Sequence, residues 1–344
     1  GSICEDFGAV KAATLAIGGW GDAYKNTVPL LVENLKAPVK GIVGPWVHKY
    51  PHFAVPEPRI GFLQEALRWW DHWLKGIDTG VADDPDYRAY LMDGARPRTW
   101  YTERAGRWIA EPDGATGHLP MQEWHLTNEG LSASSGQLDQ LVASPAHAGA
   151  AGGEYCAIWL GPELPGDQRA DDALSICFDG AVLERSLDIV GAPKIHLTLS
   201  ADKPQAQIAV RLNHVHPDGA STRITYGVLN LSHRDSHATP SPLEPGKPYE
   251  VVFNLDHIAY RVPAGHKLRL AISSAYWPLI WPSPEKTELR LTKGAIALPQ
   301  RPTAGGDEYA FAPPTAADPW QIETLRDENH IRRQETDMVT GRVS

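Results

Sequence analysis

The sequence predicts a short parallel α/β segment followed by a long antiparallel β-sandwich of the jelly-roll class. Three observations carry this. Before residue 80, apolar runs of strand length alternate with a stretch of helical period. Beyond it, apolar residues alternate at period two in many short runs separated by Pro, Gly, Asn and Asp. Between the two patterns lies a segment over 78–86 rich in Asp and Gly. The expected domains are therefore 1–80 and 81–344, the second closing in a polar tail over 313–344.

Residues 13–17 form an apolar run ended by Gly18-Gly19, which suits a buried parallel strand closed by a turn. Residues 28–35 then read as helix, and Gly41-Ile42-Val43 ahead of Gly44-Pro45 gives a second buried strand. Over 62–74, Phe62, Leu63, Ala66, Leu67, Trp70, Trp73 and Leu74 recur at helical spacing. Beyond residue 80, strands are expected over 90–92, 123–126, 187–189, 195–199, 207–213, 222–231, 249–255 and 267–273. Small-residue loops fill 132–136 and 143–153.

Composition narrows the function. With 344 residues, 42% of them hydrophobic, the chain can build a core for each part. A net charge of −10 and no run of five or six like charges argue against nucleic acid or an anionic membrane as partner. Cys4, Cys156 and Cys177 are odd in number and widely spaced, which argues against a disulfide framework or a thiolate metal site. No basic segment followed by an apolar run opens the chain, and no stretch approaches the roughly 18 apolar residues of a membrane span. A cytoplasmic location is expected. The chain also opens abruptly a few residues before a strand, as a piece of a larger protein would.

Two loops follow the two expected parallel strands: Gly18-Gly19-Trp20-Gly21-Asp22 and Gly44-Pro45-Trp46-Val47-His48. Open α/β sheets place their chemistry at the carboxyl ends of strands. A carboxylate followed by an imidazole, separated by one helix and one strand, is the Asp-then-His half of the α/β-hydrolase order Ser, Asp, His. Asp22 would hold the Nδ1 proton of His48, and His48 would shuttle the proton of a serine. The plainer alternative makes Asp22 a helix cap and His48 a solvated loop residue.

These loops, with Trp69-Trp70-Asp71-His72-Trp73-Leu74-Lys75-Gly76, resemble the cocaine-esterase-like and X-Pro dipeptidyl-peptidase family of serine hydrolases. The second part resembles that family's jelly roll at Val215-His216-Pro217-Asp218-Gly219, Thr225-Tyr226-Gly227-Val228-Leu229, Pro245-Gly246-Lys247-Pro248-Tyr249 and Pro263-Ala264-Gly265-His266-Lys267-Leu268-Arg269-Leu270. The resemblance implies an α/β-hydrolase whose C-terminal portion is present here. It implies acyl-enzyme hydrolysis of a small ester or peptide without metal or organic cofactor, with Asp22 as triad acid and His48 as triad base. No Gly-x-Ser-x-Gly elbow occurs in the chain. The nucleophilic serine, oxyanion donors and cap are therefore expected on a segment upstream of residue 1, and this chain alone is expected to be inactive.

Four aromatic or imidazole residues are candidates for the substrate pocket. Trp20 and Trp46 flank the two loops and either face the pocket or pack the loops rigid. His52 is placed at the pocket border. Trp277 lies in a stiff aromatic loop, Tyr276-Trp277-Pro278-Leu279-Ile280-Trp281-Pro282, that either walls the pocket or packs the domains together. His214 and His216 share one strand face, but with no carboxylate or cysteine nearby they are not assigned as metal ligands. The rival readings are a carbohydrate- or protein-binding jelly-roll module and a purely structural oligomerisation domain, and self-association stays open.

Overall fold

The computed structural model describes residues 3–302 and 309–315, and beyond them 317, 321–326, 331, 333, 335–340 and 342. The polar tail expected over 313–344 falls largely outside these. The first part runs β1 (Thr14–Gly19), α1 (Thr27–Asn34), β2 (Val39–Gly44), α2 (Phe62–Lys75). β1 and β2 pair in parallel, with Thr14 opposite Val39 and Gly19 opposite Gly44, so their carboxyl ends lie side by side. Apolar Val28 and Val32 turn one face of α1 inward. α2 buries Ala66 and Trp69 and leaves Leu63, Leu67, Trp70, Trp73 and Leu74 exposed.

The chain continues through β3 (Tyr87–Asp93), β4 (Gly106–Glu111), β5 (Met121–Thr127), β6 (Gly130–Ser132), β7 (Gln140–Val142) and a single-turn helix α3 (Arg169–Asp172). It then forms β8 (Ile176–Asp179), β9 (Leu187–Gly191), β10 (Lys194–Ala201), β11 (Gln207–Val215) and β12 (Ser221–Asn230). The last strands are β13 (Tyr249–Asn254), β14 (Ile258–Val262), β15 (Lys267–Ser273) and β16 (Leu289–Pro299). One mixed sheet has the order β1-β2-β3-β14-β9, with β4 on β3. β3 runs parallel to β2 and β14 parallel to β3, while β9 and β4 are antiparallel additions. Two further sheets are antiparallel: β13-β10-β16-β5-β6 with β7 on β16, and β12-β11-β15-β8.

The change of pattern near residue 80 thus marks the end of the long helices, while the mixed sheet carries on across it. Among the described residues one large apolar core follows, running from Val28 and Ile42 through Tyr87 and Ile109 to Leu197, Leu270 and Ile296, with a small separate cluster of Ala209, Tyr226 and Tyr276. Each strand expected beyond residue 80 overlaps an observed one, with bounds that differ by up to three residues. β14 escaped the period-two reading because Ile258, Ala259, Tyr260 and Val262 are all buried, the signature of a strand covered on both faces. β16 escaped it because Lys293-Gly294 interrupts its apolar run.

α2 is tied down by charge as well as packing. The guanidinium of Arg88 on β3 is 1% exposed and donates to Glu65 of α2 at 3.0 Å, with Asp84 at 3.5 Å. Among the described residues no helix is long and apolar enough to cross a membrane.

Two imidazoles give this core an acid limit. Burial, with His216 and His266 alongside, pushes His214 down to about 3, and burial pushes His257 down to about 4 against the pull of Asp256 and Glu33. Both stay neutral in the folded chain while the unfolded chain takes up a proton near its ordinary value of about 6.5. Stability is therefore full above that value and declines as pH falls toward 4. At pH 5 each imidazole should cost on the order of 1–2 kcal/mol. Urea titrations at pH 7.5 and pH 5 should show this loss, and His257→Gln should shrink it. An equal loss in the variant would remove His257 from the account.

Candidate active site

The carboxyl ends of β1 and β2 are stitched together before any side chain acts. The Trp20 amide donates to the Gly44 carbonyl at 2.9 Å and the Gly21 amide to the Trp46 carbonyl at 2.8 Å. Glycine is required at both strand ends for lack of space. A Cβ on Gly19 would stand 2.2 Å from the Trp46 carbonyl oxygen, and one on Gly44 would meet the Trp46 ring at 2.4 Å. The stitching brings the Asp22 carboxylate to the His48 ring, with Oδ2 2.8 Å from Nδ1.

Asp22 is 8% exposed, and its second oxygen accepts from the Tyr24 amide at 3.0 Å. The His48 side chain is half exposed. A buried carboxylate at Nδ1 keeps the proton on that nitrogen and leaves the Nε2 lone pair free to accept another. The His48 backbone is fixed in turn, since its amide donates to the Ala157 carbonyl at 2.8 Å.

Both side chains open on a cleft of about 800 Å³, whose wall is largely apolar: Ile17, Trp46, Tyr50, Phe53, Phe62 and Trp69. Of the residues singled out in the sequence, the structure brings Asp22, His48 and Trp46 to this cleft. Trp20 does not line it, because its indole N–H points away to the Tyr90 carbonyl at 2.8 Å. His52 sits behind the wall, stacked on Phe62 and edge-on to Phe53, where burial lowers its pKa. Trp277 lies outside as well; its amide is held by the Ala148 carbonyl at 2.7 Å and its ring packs edge-on to Trp281.

A loop over 145–166, whose first part is the small-residue loop expected over 143–153, reaches the site from beyond residue 80, a contact that no spacing in the sequence signals. It supplies the Ala157 carbonyl and places half-buried Cys156 so that its sulfur and ligand atoms of Asp22 and His48 lie within 4.8 Å of one another. Trp159 adopts a left-handed φ of 70°, a strained conformation for a non-glycine residue. The Glu163 carboxylate compensates, accepting from the Trp159 amide and from the Leu160 amide at 3.1 Å. A second converging set, His214, His216 and His266, lies elsewhere in the fold.

The family model of the X-Pro dipeptidyl-peptidase C-terminal non-catalytic domain matches residues 79–331, and that of the X-Pro dipeptidyl-peptidase S15 family matches residues 1–50. The chain is 23% identical over 303 residues to the cocaine esterase of a Rhodococcus species, covering 80% of this chain and 51% of that protein. It is 22% identical to the Xaa-Pro dipeptidyl-peptidase of Lactobacillus delbrueckii subsp. lactis, covering 77% of this chain and 37% of that protein. A Staphylococcus aureus hydrolase of the CocE/NonD family shares the fold with a TM-score of 0.64 at 12% identity, over 86% of this chain and 55% of that one. The chain spans about half the length of the curated relatives it matches.

The hydrogen bond can be tested on this chain alone. In nitrogen-15 NMR, His48 should appear as the Nδ1–H tautomer with a downfield-shifted ring proton. Asp22→Ala should abolish that proton signal and mix the tautomers, whereas a wild-type spectrum already mixed would mean the bond does not hold in solution.

Proposed function

The chain belongs to the X-Pro dipeptidyl-peptidase family, and from that premise we propose that it supplies the acid and base of a serine hydrolase acting on a small ester or an X-Pro peptide. The observation that carries this reading is the 2.8 Å bond between Asp22 and His48 at the mouth of an apolar cleft. Residues 1–80 are the C-terminal part of the catalytic domain, and 81–344 the jelly-roll domain with its tail. The serine, its oxyanion donors and the cap belong to a segment upstream of residue 1. Support for that placement is physical. Among the described residues β1 is an edge strand, and beside it α2 exposes Leu63, Leu67, Trp70 and Leu74, an apolar face of the kind that another part of a protein covers.

The chemistry then runs through His48. Its Nε2 takes the serine proton as the hydroxyl attacks the acyl carbon, and Asp22 stabilises the imidazolium that forms. His48 returns the proton to the departing alcohol or amine, leaving an acyl-enzyme. A water activated by the same Nε2 releases the acid. No cofactor enters these steps. The apolar wall of Phe53, Phe62 and Trp69 suits an uncharged acyl or prolyl group.

The carbohydrate-module alternative fares less well on the sandwich. One groove of about 470 Å³ there, bordered by Glu123, His125, His196, Thr198, Glu250 and Lys293, has no Trp, Tyr or Phe among its described lining residues on which a sugar could stack.

The test uses the full-length gene product with 4-nitrophenyl esters and X-Pro 4-nitroanilides. His48→Ala and Asp22→Asn should each lower kcat by roughly 10³–10⁴-fold with binding little changed. A fluorophosphonate should label a serine upstream of residue 1 and leave the isolated 344-residue chain unlabelled. Hydrolysis undiminished in His48→Ala would overturn the proposal.

A further inference from the structure

The parallel strands β3 and β14 end side by side at Asp93 and Val262, on the same edge of the mixed sheet as the loops that carry Asp22 and His48. The loops that leave them meet the end of β11 and the turn into β12. Three imidazoles converge there: His214 at the end of β11, His216 in the turn, and His266 in the turn before β15. His214 is fully buried, His216 is 6% exposed and His266 is partly exposed. Ligand atoms from the three lie within 4.8 Å of one another, and His214 Nε2 is 2.6 Å from His266 Nδ1.

The outward nitrogens of the two buried rings are already held. Tyr260 Oη stands 2.9 Å from His214 Nδ1. Thr222 Oγ1 stands 3.0 Å from His216 Nε2 and donates its own hydrogen to the Ala95 carbonyl at 2.8 Å. The threonine can therefore only accept from His216, which puts the proton on Nε2 and leaves the Nδ1 lone pair unprotonated. Imidazoles whose second nitrogen is fixed by an oxygen are the arrangement of metal ligands, because that bond sets the tautomer and the ring direction. Asp218, the carboxylate of the same turn, is committed to Arg96 and balances its charge.

We propose that His214, His216 and His266 form a site for a divalent cation of the zinc class, which clamps the turn after β14 to the end of β11 and the turn that follows it. A donor set of imidazoles alone favours zinc and its first-row neighbours over calcium or magnesium, which take oxygen ligands. Tetrahedral zinc holds imidazole nitrogens about 3.3 Å apart, so the His214–His266 pair, now 2.6 Å apart, must open by about 0.7 Å. His266 sits on a turn and is the partner free to give. This site is independent of how Asp22 and His48 are used.

The test is a calorimetric titration of the 344-residue chain, stripped with a chelator, with Zn²⁺, repeated with Co²⁺ to read the ligand field by visible absorption. One ion per chain and a tetrahedral cobalt spectrum without a thiolate band are expected. His266→Ala, on an accessible turn, should weaken binding by at least about 100-fold, and Thr222→Val by about 10–100-fold, both with unchanged circular dichroism. No saturable binding, or equal affinity in His266→Ala, would overturn the proposal. So would loss of binding in Cys156→Ser with a thiolate band in the cobalt spectrum, which would put the ion at Asp22 and His48.

Discussion

Everything at the cleft depends on how closely two backbone turns approach. The Asp22–His48 bond spans only 2.8 Å, yet its partners hang from separate strand ends that meet through the Trp20–Gly44 and Gly21–Trp46 amide-to-carbonyl bonds. Those bonds are compatible only with residues lacking a side chain at 19 and 44. The tryptophans beside the glycines close the arrangement from either side. Trp20 sends its N–H to Tyr90 on β3, and Trp46 sends its own to the Pro58 carbonyl at 2.8 Å. Both loops are thereby anchored to the sheet and to the chain that leads into α2.

A second brace comes from the antiparallel part. The loop that offers the Ala157 carbonyl to His48 is gripped at its base by Asp171, whose carboxylate accepts from the Gly149 and Ala151 amides, both at 2.9 Å. Gln168 adds bonds to the Ala151 and Gly166 carbonyls. Behind them lies a buried ionic cluster in which Asp172 meets Arg211 at 3.2 Å and Arg269 at 3.1 Å, with Asn213 and Ser221 completing its bonds. Buried charges of this kind add little net stability, but they tolerate no alternative packing, which suits a platform that must hold a loop in one place.

How much of this was legible in the sequence follows from the range of the interactions. Local features were readable: the period of α2, the Gly-bounded strands β1 and β2, and the Asp-then-His order in the loops after them. Contacts made by residues far apart were not. The pairing of His266 with His214 needs β14 and β15 folded beside β11, and Cys156 reaches His48 only through a loop whose anchor is a buried carboxylate. The aromatic candidates divide for the same reason. Trp46 faces the cleft while Trp20 is turned away by one backbone carbonyl, a choice that no spacing rule encodes.

The continuity of the mixed sheet across residue 80 also bears on how this chain can be divided. A cut there would strip β1 and β2 from β3 and leave Arg88 without Glu65, its partner on α2. A guanidinium that is 1% exposed and has lost the nearer of its two carboxylates, keeping only Asp84 at 3.5 Å, is a costly defect for a core to carry. The antiparallel sheets and the α/β piece are therefore unsuited to being traded separately among larger proteins. Recombination that respects function must carry both across together, and a linker spliced in near residue 80 must leave room for Arg88 to find Glu65 again.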